Sequence, residues 1–188
     1  NGDMAALNTL TGTANDYTIT VTDSTLSGAE LVALDAKTAG DITVNAATTF
    51  NATLAEAKAI LAKGGAGIVN TGEAEVFNIS DTTINAADLA IVAANTAAGT
   101  SGNVNLINVT TIEGEGSQVK AAFANAQVKL IPANVAVTIK ETGGTIDAQE
   151  ISDIINSISI GTANNTAQGG SAALTTGLVT IDQSAFTT

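Results

Sequence analysis

Three stretches of sequence decide the fold: TVTDSTLSGAELVAL (20–34), NISDTTINAADLAIV (78–92) and TIKETGGTIDAQEIS (138–152). Each begins with alternating apolar residues, passes through an acidic residue and a turn, and ends with the apolar spacing of a helix. A second strand pattern alternates with them as ITVNAATTF (42–50), VNLINVTTI (104–112) and IDQSAFTT (181–188). Recurrence on this scale indicates stacked coils of strand and helix.

The copies align position by position in both patterns. When Asp23 is placed on Asp81, the apolar residues of the first two copies coincide as Ile19/Phe77, Val21/Ile79, Leu26/Ile84, Leu31/Leu89 and Leu34/Val92. In the second pattern, Ile42, Val104 and Ile181 coincide. The repeat unit is therefore β-α-β-α over about 60 residues, which makes two coils of about 30 residues each.

Helix starts are marked by a capping residue three positions before an acidic residue. The pairs are Ser27/Glu30, Asn85/Asp88, Asp147/Glu150, Thr53/Glu56 and Thr13/Asp16. The first residue of each pair accepts a hydrogen bond from a free helix amide, and the acid complements the helix dipole. Thr13 belongs to a partial copy, in which LNTLTGTANDY (7–17) matches VTTIEGEGSQV (109–119).

These observations predict an α/β fold, a right-handed solenoid of stacked βα coils with parallel β-sheet and short helices, as in leucine-rich repeats. The right hand follows from the crossover rule for parallel strands. We expect a single repeat domain over residues 1–188. It comprises a partial repeat 1–16, full repeats 17–72 and 73–134, and an incomplete repeat 135–188.

Composition excludes several classes of function. The chain carries 18 acidic residues against 6 basic ones and a formal charge of −12, which is opposite to what nucleic acid or an anionic membrane surface attracts. It has no His, Cys or Arg, so the usual nucleophile and base pairs cannot be assembled and we predict no enzyme activity. The few aromatic residues occupy repeat positions and are predicted to be core: Tyr17, Phe50, Phe77, Phe123 and Phe186. No apolar run is long enough for membrane insertion.

The repeat resembles tandem units of very large secreted proteins from cyanobacteria and other aquatic bacteria, described as S-layer-like, hemolysin-type or adhesin-like. The stretches that carry the resemblance are TVTDSTLSGAELVALDAKTAG (20–40), NISDTTINAADLAIVAANTAAG (78–99) and VTTIEGEGSQVKAAFA (109–124). The resemblance implies an extracellular location at the cell surface and a structural or adhesive role. The glycine-rich calcium-binding nonapeptide is absent, since GGAGIVN (64–70) and TGGTIDA (142–148) lack its Gly-x-Asp core.

Asp23, Asp81 and Glu141 are the candidate metal ligands, because they stand at equivalent positions after the first strand of each copy. Stacked coils would align them in a column, and carboxylate oxygens suit calcium. The alternative is that they begin turns and face solvent, since one carboxylate per unit is far fewer than the six to eight oxygens that calcium takes. No other cofactor is expected.

Leu7, Leu10, Ile181 and Phe186 are candidate assembly residues, because they lie in incomplete end coils with no polar cap. Head-to-tail pairing of two copies would bury them and extend the solenoid into a filament. The alternative is that the segment is cut from a longer repeat chain. The predicted function is a non-enzymatic structural module that self-associates into a bacterial surface layer or filament. The alternative function is a calcium- or glycan-binding adhesin module.

Overall fold

The computed structural model of the chain describes residues 1–13, 15–44, 49–62, 68–70, 75–96, 102–132, 134–141, 148–167 and 179–182, with the backbone alone for 68–70 and 159–167. Its helices are α1 (Met4–Leu7), α2 (Gly28–Asp35), α3 (Leu54–Ala62), α4 (Ala86–Asn95), α5 (Gly116–Ala124) and α6 (Ala148–Ala167). Its strands are β1 (Ile19–Val21), β2 (Thr25–Ser27), β3 (Ile42–Val44), β4 (Thr49–Ala52), β5 (Ile68–Asn70), β6 (Val76–Ile79), β7 (Thr83–Asn85), β8 (Asn103–Asn105), β9 (Thr111–Gly114), β10 (Val128–Lys129), β11 (Ala136–Lys140) and β12 (Val179–Asp182).

The fold is mixed α/β, with short helices and parallel sheets, as the sequence predicts. The described strands form three sheets: β1-β3-β5, β2-β4-β6-β8-β10 and β7-β9-β11-β12, named here the first, second and third sheet. Every named strand pair is parallel. Parallel neighbours need a crossover connection, and a helix lies between the two strands of each named pair in the chain. Successive helices from α2 to α6 contact one another in chain order.

Equivalent strands of successive repeats lie in different sheets. β1, β6 and β11 occupy the same position of the sequence repeat, yet they belong to the first, second and third sheet. The second sheet therefore takes β2 and β4 from one repeat, and then β6, β8 and β10 from the next. The short strands β5 and β10 cause this displacement. Each is an additional strand at the end of its repeat, and it takes the place in the sheet that the first strand of the next repeat would otherwise occupy. That first strand therefore joins the next sheet.

A continuous apolar core runs between the sheets and the helices. Alternate strand residues face it, and Phe50 stacks on Phe77 with ring centroids 4.9 Å apart. Phe123 is also buried, as predicted. The prediction was wrong for Tyr17, which is 40% exposed because no strand or helix forms there to turn it inward. Phe186 lies outside the described residues.

The partial repeat at the start of the chain has a different register from the one predicted. Gly2 pairs with Val21, just as Ala52 pairs with Ile79 and Gly114 with Ile139. α1 is thus equivalent to α3 and α5, and the alignment of residues 7–17 with 109–119 was wrong. In the described residues 15–27, no helix forms after Thr13. Asp3 is the cap instead, and its Oδ1 accepts from Ala6 N at 2.8 Å.

The last described strand is also shifted by two residues from the predicted alignment. Val179 pairs with Val137, whereas Ile181 pairs with Ile139. Val137 is the equivalent of Ile19 and Phe77, whose partners are Ile42 and Val104. Val179 therefore holds the position that the sequence assigned to Ile181. A shift of two keeps the same face buried, so alternation alone could not distinguish the two registers.

Candidate functional site

The three candidate metal ligands are placed at helix starts. Asp23 Oδ2 accepts from Met4 N at 2.7 Å, and Asp81 Oδ2 accepts from Leu54 N at 2.6 Å. Glu141 Oε1 accepts from Gly116 N at 2.6 Å. Each donor is the first residue of a helix, respectively α1, α3 and α5. The carboxylates therefore cap helices that precede them in the chain by one coil.

This capping reaches across coils and adds to the cap that each helix makes for itself. At α3, Thr53 Oγ1 accepts from Glu56 N at 3.2 Å, and Thr53 N donates to Glu56 Oε2 at 2.8 Å. Asp81 supplies a further acceptor to the next free amide. A negative charge at a helix N-terminus is stabilised by the unpaired amides and by the dipole. Each carboxylate thus links one coil to the next.

The structure does not bring the three carboxylates together. Asp23 precedes β2 and Asp81 follows β6, and β4 lies between these two strands in the second sheet. Two inter-strand steps span about 10 Å, and each carboxylate is held at its own helix. Within the described residues, no group of three or more acidic, His or Cys side chains is arranged to hold a metal. The chemistry that the arrangement supports is hydrogen bonding to amides.

The other acidic residues of the repeat pair with the preceding helix. Glu30 Oε1 accepts from Asn8 Nδ2 at 3.2 Å, and Asp88 pairs with Lys58. In the third copy the preceding helix is paired by a residue three positions further on, as Lys120–Asp153 at 2.9 Å. The hydrogen bond from Lys120 holds the pKa of Asp153 below its usual value. These pairs are substantially exposed, so each adds little stability.

The predicted caps Ser27, Asn85 and Thr53 are confirmed. Ser27 Oγ accepts from Glu30 N at 3.4 Å, and Asn85 Oδ1 accepts from Asp88 N at 3.3 Å. Asp147 lies outside the described residues.

An asparagine ladder was missed at the sequence level. Asn51, Asn78 and Asn105 are in register on β4, β6 and β8. Asn105 Nδ2 donates to Asn78 Oδ1 at 2.9 Å, and Asn78 Nδ2 donates to Asn51 Oδ1 at 3.1 Å. The signal was present, because the three residues recur at a constant interval of 27. The interval of 27 residues leads from one strand pattern to the other. An alignment that compares each pattern only with its own copies therefore did not reveal the ladder.

The candidate assembly residues belong mainly to the chain's own core. Leu7 is 8% exposed, and Leu10 and Ile181 are partly buried against the core. Phe186 lies outside the described residues. Val179, which takes the position predicted for Ile181, is 39% exposed on the edge strand β12. It is the apolar side chain of β12 that a second copy could reach.

Comparison with protein-family models, with curated proteins and with solved structures found no match to the chain. Among the helices in the described part of the chain, none combines the length and apolarity needed to cross a membrane.

Proposed function

We propose that the chain is a non-enzymatic structural repeat module, a right-handed solenoid of stacked βα coils in an extracellular bacterial surface protein. The observation that carries the proposal is the use of Asp23, Asp81 and Glu141 as caps from one coil to the preceding one. These three acidic residues, which recur in every copy of the repeat, thus join each coil to the preceding one. The acidic composition and the resemblance to secreted repeat proteins support the location.

Self-association into a layer or filament is the second part of the proposal. β12 is hydrogen-bonded to β11 and, within the described residues, to no other strand, and it exposes Val179. An open strand edge is a template for another chain, and a second copy of this protein offers parallel strands of the same kind. Head-to-tail contact of this type is heterologous and generates open assemblies.

Thermal unfolding with and without calcium tests the structural role against the calcium-binding alternative. We expect Asp81→Ala to lower the free energy of unfolding by about 1–2 kcal/mol, because Leu54 N loses its acceptor and the helix dipole its countercharge. The midpoint should fall by roughly 2–4 °C per kcal/mol, by the same amount in EDTA and in calcium.

Asp41→Ala is the matched control, since Asp41 is exposed and its side chain makes no described hydrogen bond. It should leave the midpoint unchanged. A midpoint of the unsubstituted chain that rises with calcium would instead favour the binding module, by mass action on the folded state. Electron microscopy of the same samples tests self-association, and monodisperse particles at high concentration would contradict it.

A further inference from the structure

Lys129 is a buried lysine at the end of the asparagine ladder. It lies on β10 in register with Asn105, and it is 8% exposed. The Nδ2 atom of Asn105 is turned toward Asn78 on β6, to which it donates. The row of polar side chains on the second sheet therefore passes from amides to an amine at β10, an edge strand against which α6 packs.

Lys129 differs from the other lysines in the described part of the chain. Lys37 Nζ donates to Asn8 O at 2.9 Å, and Lys58 pairs with Asp88. Two others form ion pairs, which are Lys120–Asp153 at 2.9 Å and Lys140–Glu113 at 2.6 Å. Among the described residues, the side chain of Lys129 has no hydrogen-bond or ion-pair partner. In a chain of charge −12, a lysine with no hydrogen-bond or ion-pair partner among the described residues is unexpected.

Burial without a countercharge changes the acid–base behaviour of this amine. Desolvation disfavours the ammonium form and lowers the pKa of Lys129. A larger fraction of the side chain is then the neutral amine, which is the nucleophilic form. The paired lysines must first break their hydrogen bonds to protein groups to become nucleophiles, whereas Lys129 has no such bond to another described residue.

Two locally unfavourable features coincide at this point. An amine that is largely withdrawn from water and has no partner among the described residues costs free energy. The next residue, Leu130, has φ of 49°, and it is the one non-glycine residue of the described chain with a positive φ. A left-handed conformation is costly for a residue with a Cβ atom. Locally unfavourable conformations and unpaired polar groups concentrate at functional positions, where function outweighs stability.

We propose that Lys129 is a site of acylation by small activated carboxylic acid derivatives such as thioesters. The neutral amine attacks the carbonyl carbon and the N–C bond forms. The C–S bond breaks, the thiolate leaves with the electron pair, and the surplus proton passes to water. The small exposed area of Lys129 favours the approach of a small acyl donor over a bulky one. The resulting amide carries no charge, which removes the cost of the unpaired amine. This role is independent of the proposed structural function.

Competitive acetylation of the intact folded chain tests the proposal. The chain is treated at neutral pH with a substoichiometric amount of an acetyl N-hydroxysuccinimide ester. It is then digested with a glutamate-specific protease, because acetylated lysine resists trypsin. The occupancy of each lysine is assigned from fragment ions in tandem mass spectrometry. We expect Lys129 to react severalfold faster than Lys120 and Lys140. Its rate should reach a plateau at a lower pH than theirs, because its pKa is lowered.

The same reaction in concentrated urea is the first control, and there the rates of the three lysines should converge. Lys129→Arg is the second control and should remove the fast site while leaving the rates at Lys120 and Lys140 and the circular dichroism unchanged. The proposal is overturned if Lys129 reacts no faster than Lys120 in the folded chain. It is also overturned if its advantage persists in urea, since the sequence context and not the fold would then be the cause.

Discussion

Asn78 is the central residue of the asparagine ladder and makes side-chain hydrogen bonds to both neighbouring strands. A side-chain amide can donate and accept at once, so one residue type repeated in register forms a continuous chain of hydrogen bonds. The ladder crosses from one repeat to the next, since β4 belongs to one and β6 and β8 to the following one. It therefore strengthens the boundary between repeats.

Asn78→Ala is expected to lower the free energy of unfolding by about 1–3 kcal/mol, because two hydrogen bonds are lost and the amides of Asn51 and Asn105 lose a partner. Chemical denaturation measures the change. Asn103→Ala on β8 is the matched control, because its side chain makes no described hydrogen bond. It should cost less than half as much. Equal losses for the two variants would show that the ladder adds nothing beyond strand propensity.

Single residues differ in how far the sequence alone could predict their roles. The caps Ser27, Asn85 and Thr53 were predictable, because donor and acceptor lie within three residues of each other. The role of Asp81 was not, because its partner Leu54 is 27 residues away and belongs to another coil. Its equivalence to Asp23 was visible, but the alignment could not say what these carboxylates contact.

At the scale of elements, a complementary pair of small residues sets how closely each coil approaches the next. Gly28 begins α2 and faces Ala52 at the end of β4. An added Cβ atom on Gly28 would lie 2.5 Å from the Cβ of Ala52. In the next repeat the two residues are exchanged, because Ala86 begins α4 and faces Gly114 at the end of β9. Each contact thus has room for one methyl group. This group belongs to the strand residue in the first repeat and to the helix residue in the second.

A double-mutant cycle tests this exchange. Gly28→Ala should destabilise the fold by about 1–3 kcal/mol through overpacking, although alanine is the better helix former. Adding Ala52→Gly reproduces the arrangement of the second repeat and should recover most of the loss. The expected coupling energy is about 0.5–3 kcal/mol.

Gly2→Ala controls for the general effect of replacing glycine, since its added Cβ would meet nothing closer than 3.5 Å. Its effect should stay within about 0.5 kcal/mol. Purely additive effects at Gly28 and Ala52 would show that the two sites adapt independently and that the contact does not set the spacing.

At the scale of the whole molecule, the sequence repeat and the sheet arrangement do not coincide. Alternation and caps predicted β1, β6 and β11, the helices α2 to α6 and the parallel order, because these depend on local periodicity. The prediction was wrong for β2 and β7, which form where a turn was expected. The displacement of each repeat by one sheet was not predicted. It depends on β5 and β10, which are short strands of three and two residues without a clear pattern of their own. Weak edge elements of this kind are specified by their neighbours and carry little local signal.

Removal of one complete repeat, residues 23–80, tests whether the chain is a stack of units that contact only their neighbours. The deletion joins Thr22 to Asp81, which is equivalent to Asp23 and would take over the capping of Met4. β1 would then pair with β8 in the way that it pairs with β3, so every remaining coil keeps a neighbour of the correct type. We expect a folded, cooperative protein whose denaturant m-value falls to roughly two thirds of that of the full chain, because m scales with the surface exposed on unfolding.

Deletion of residues 45–102 is the control of equal length. It fuses β3 directly to β8 without a turn and should prevent folding. If the in-register deletion also fails to fold, then the repeats depend on distant parts of the chain and the solenoid proposal does not hold.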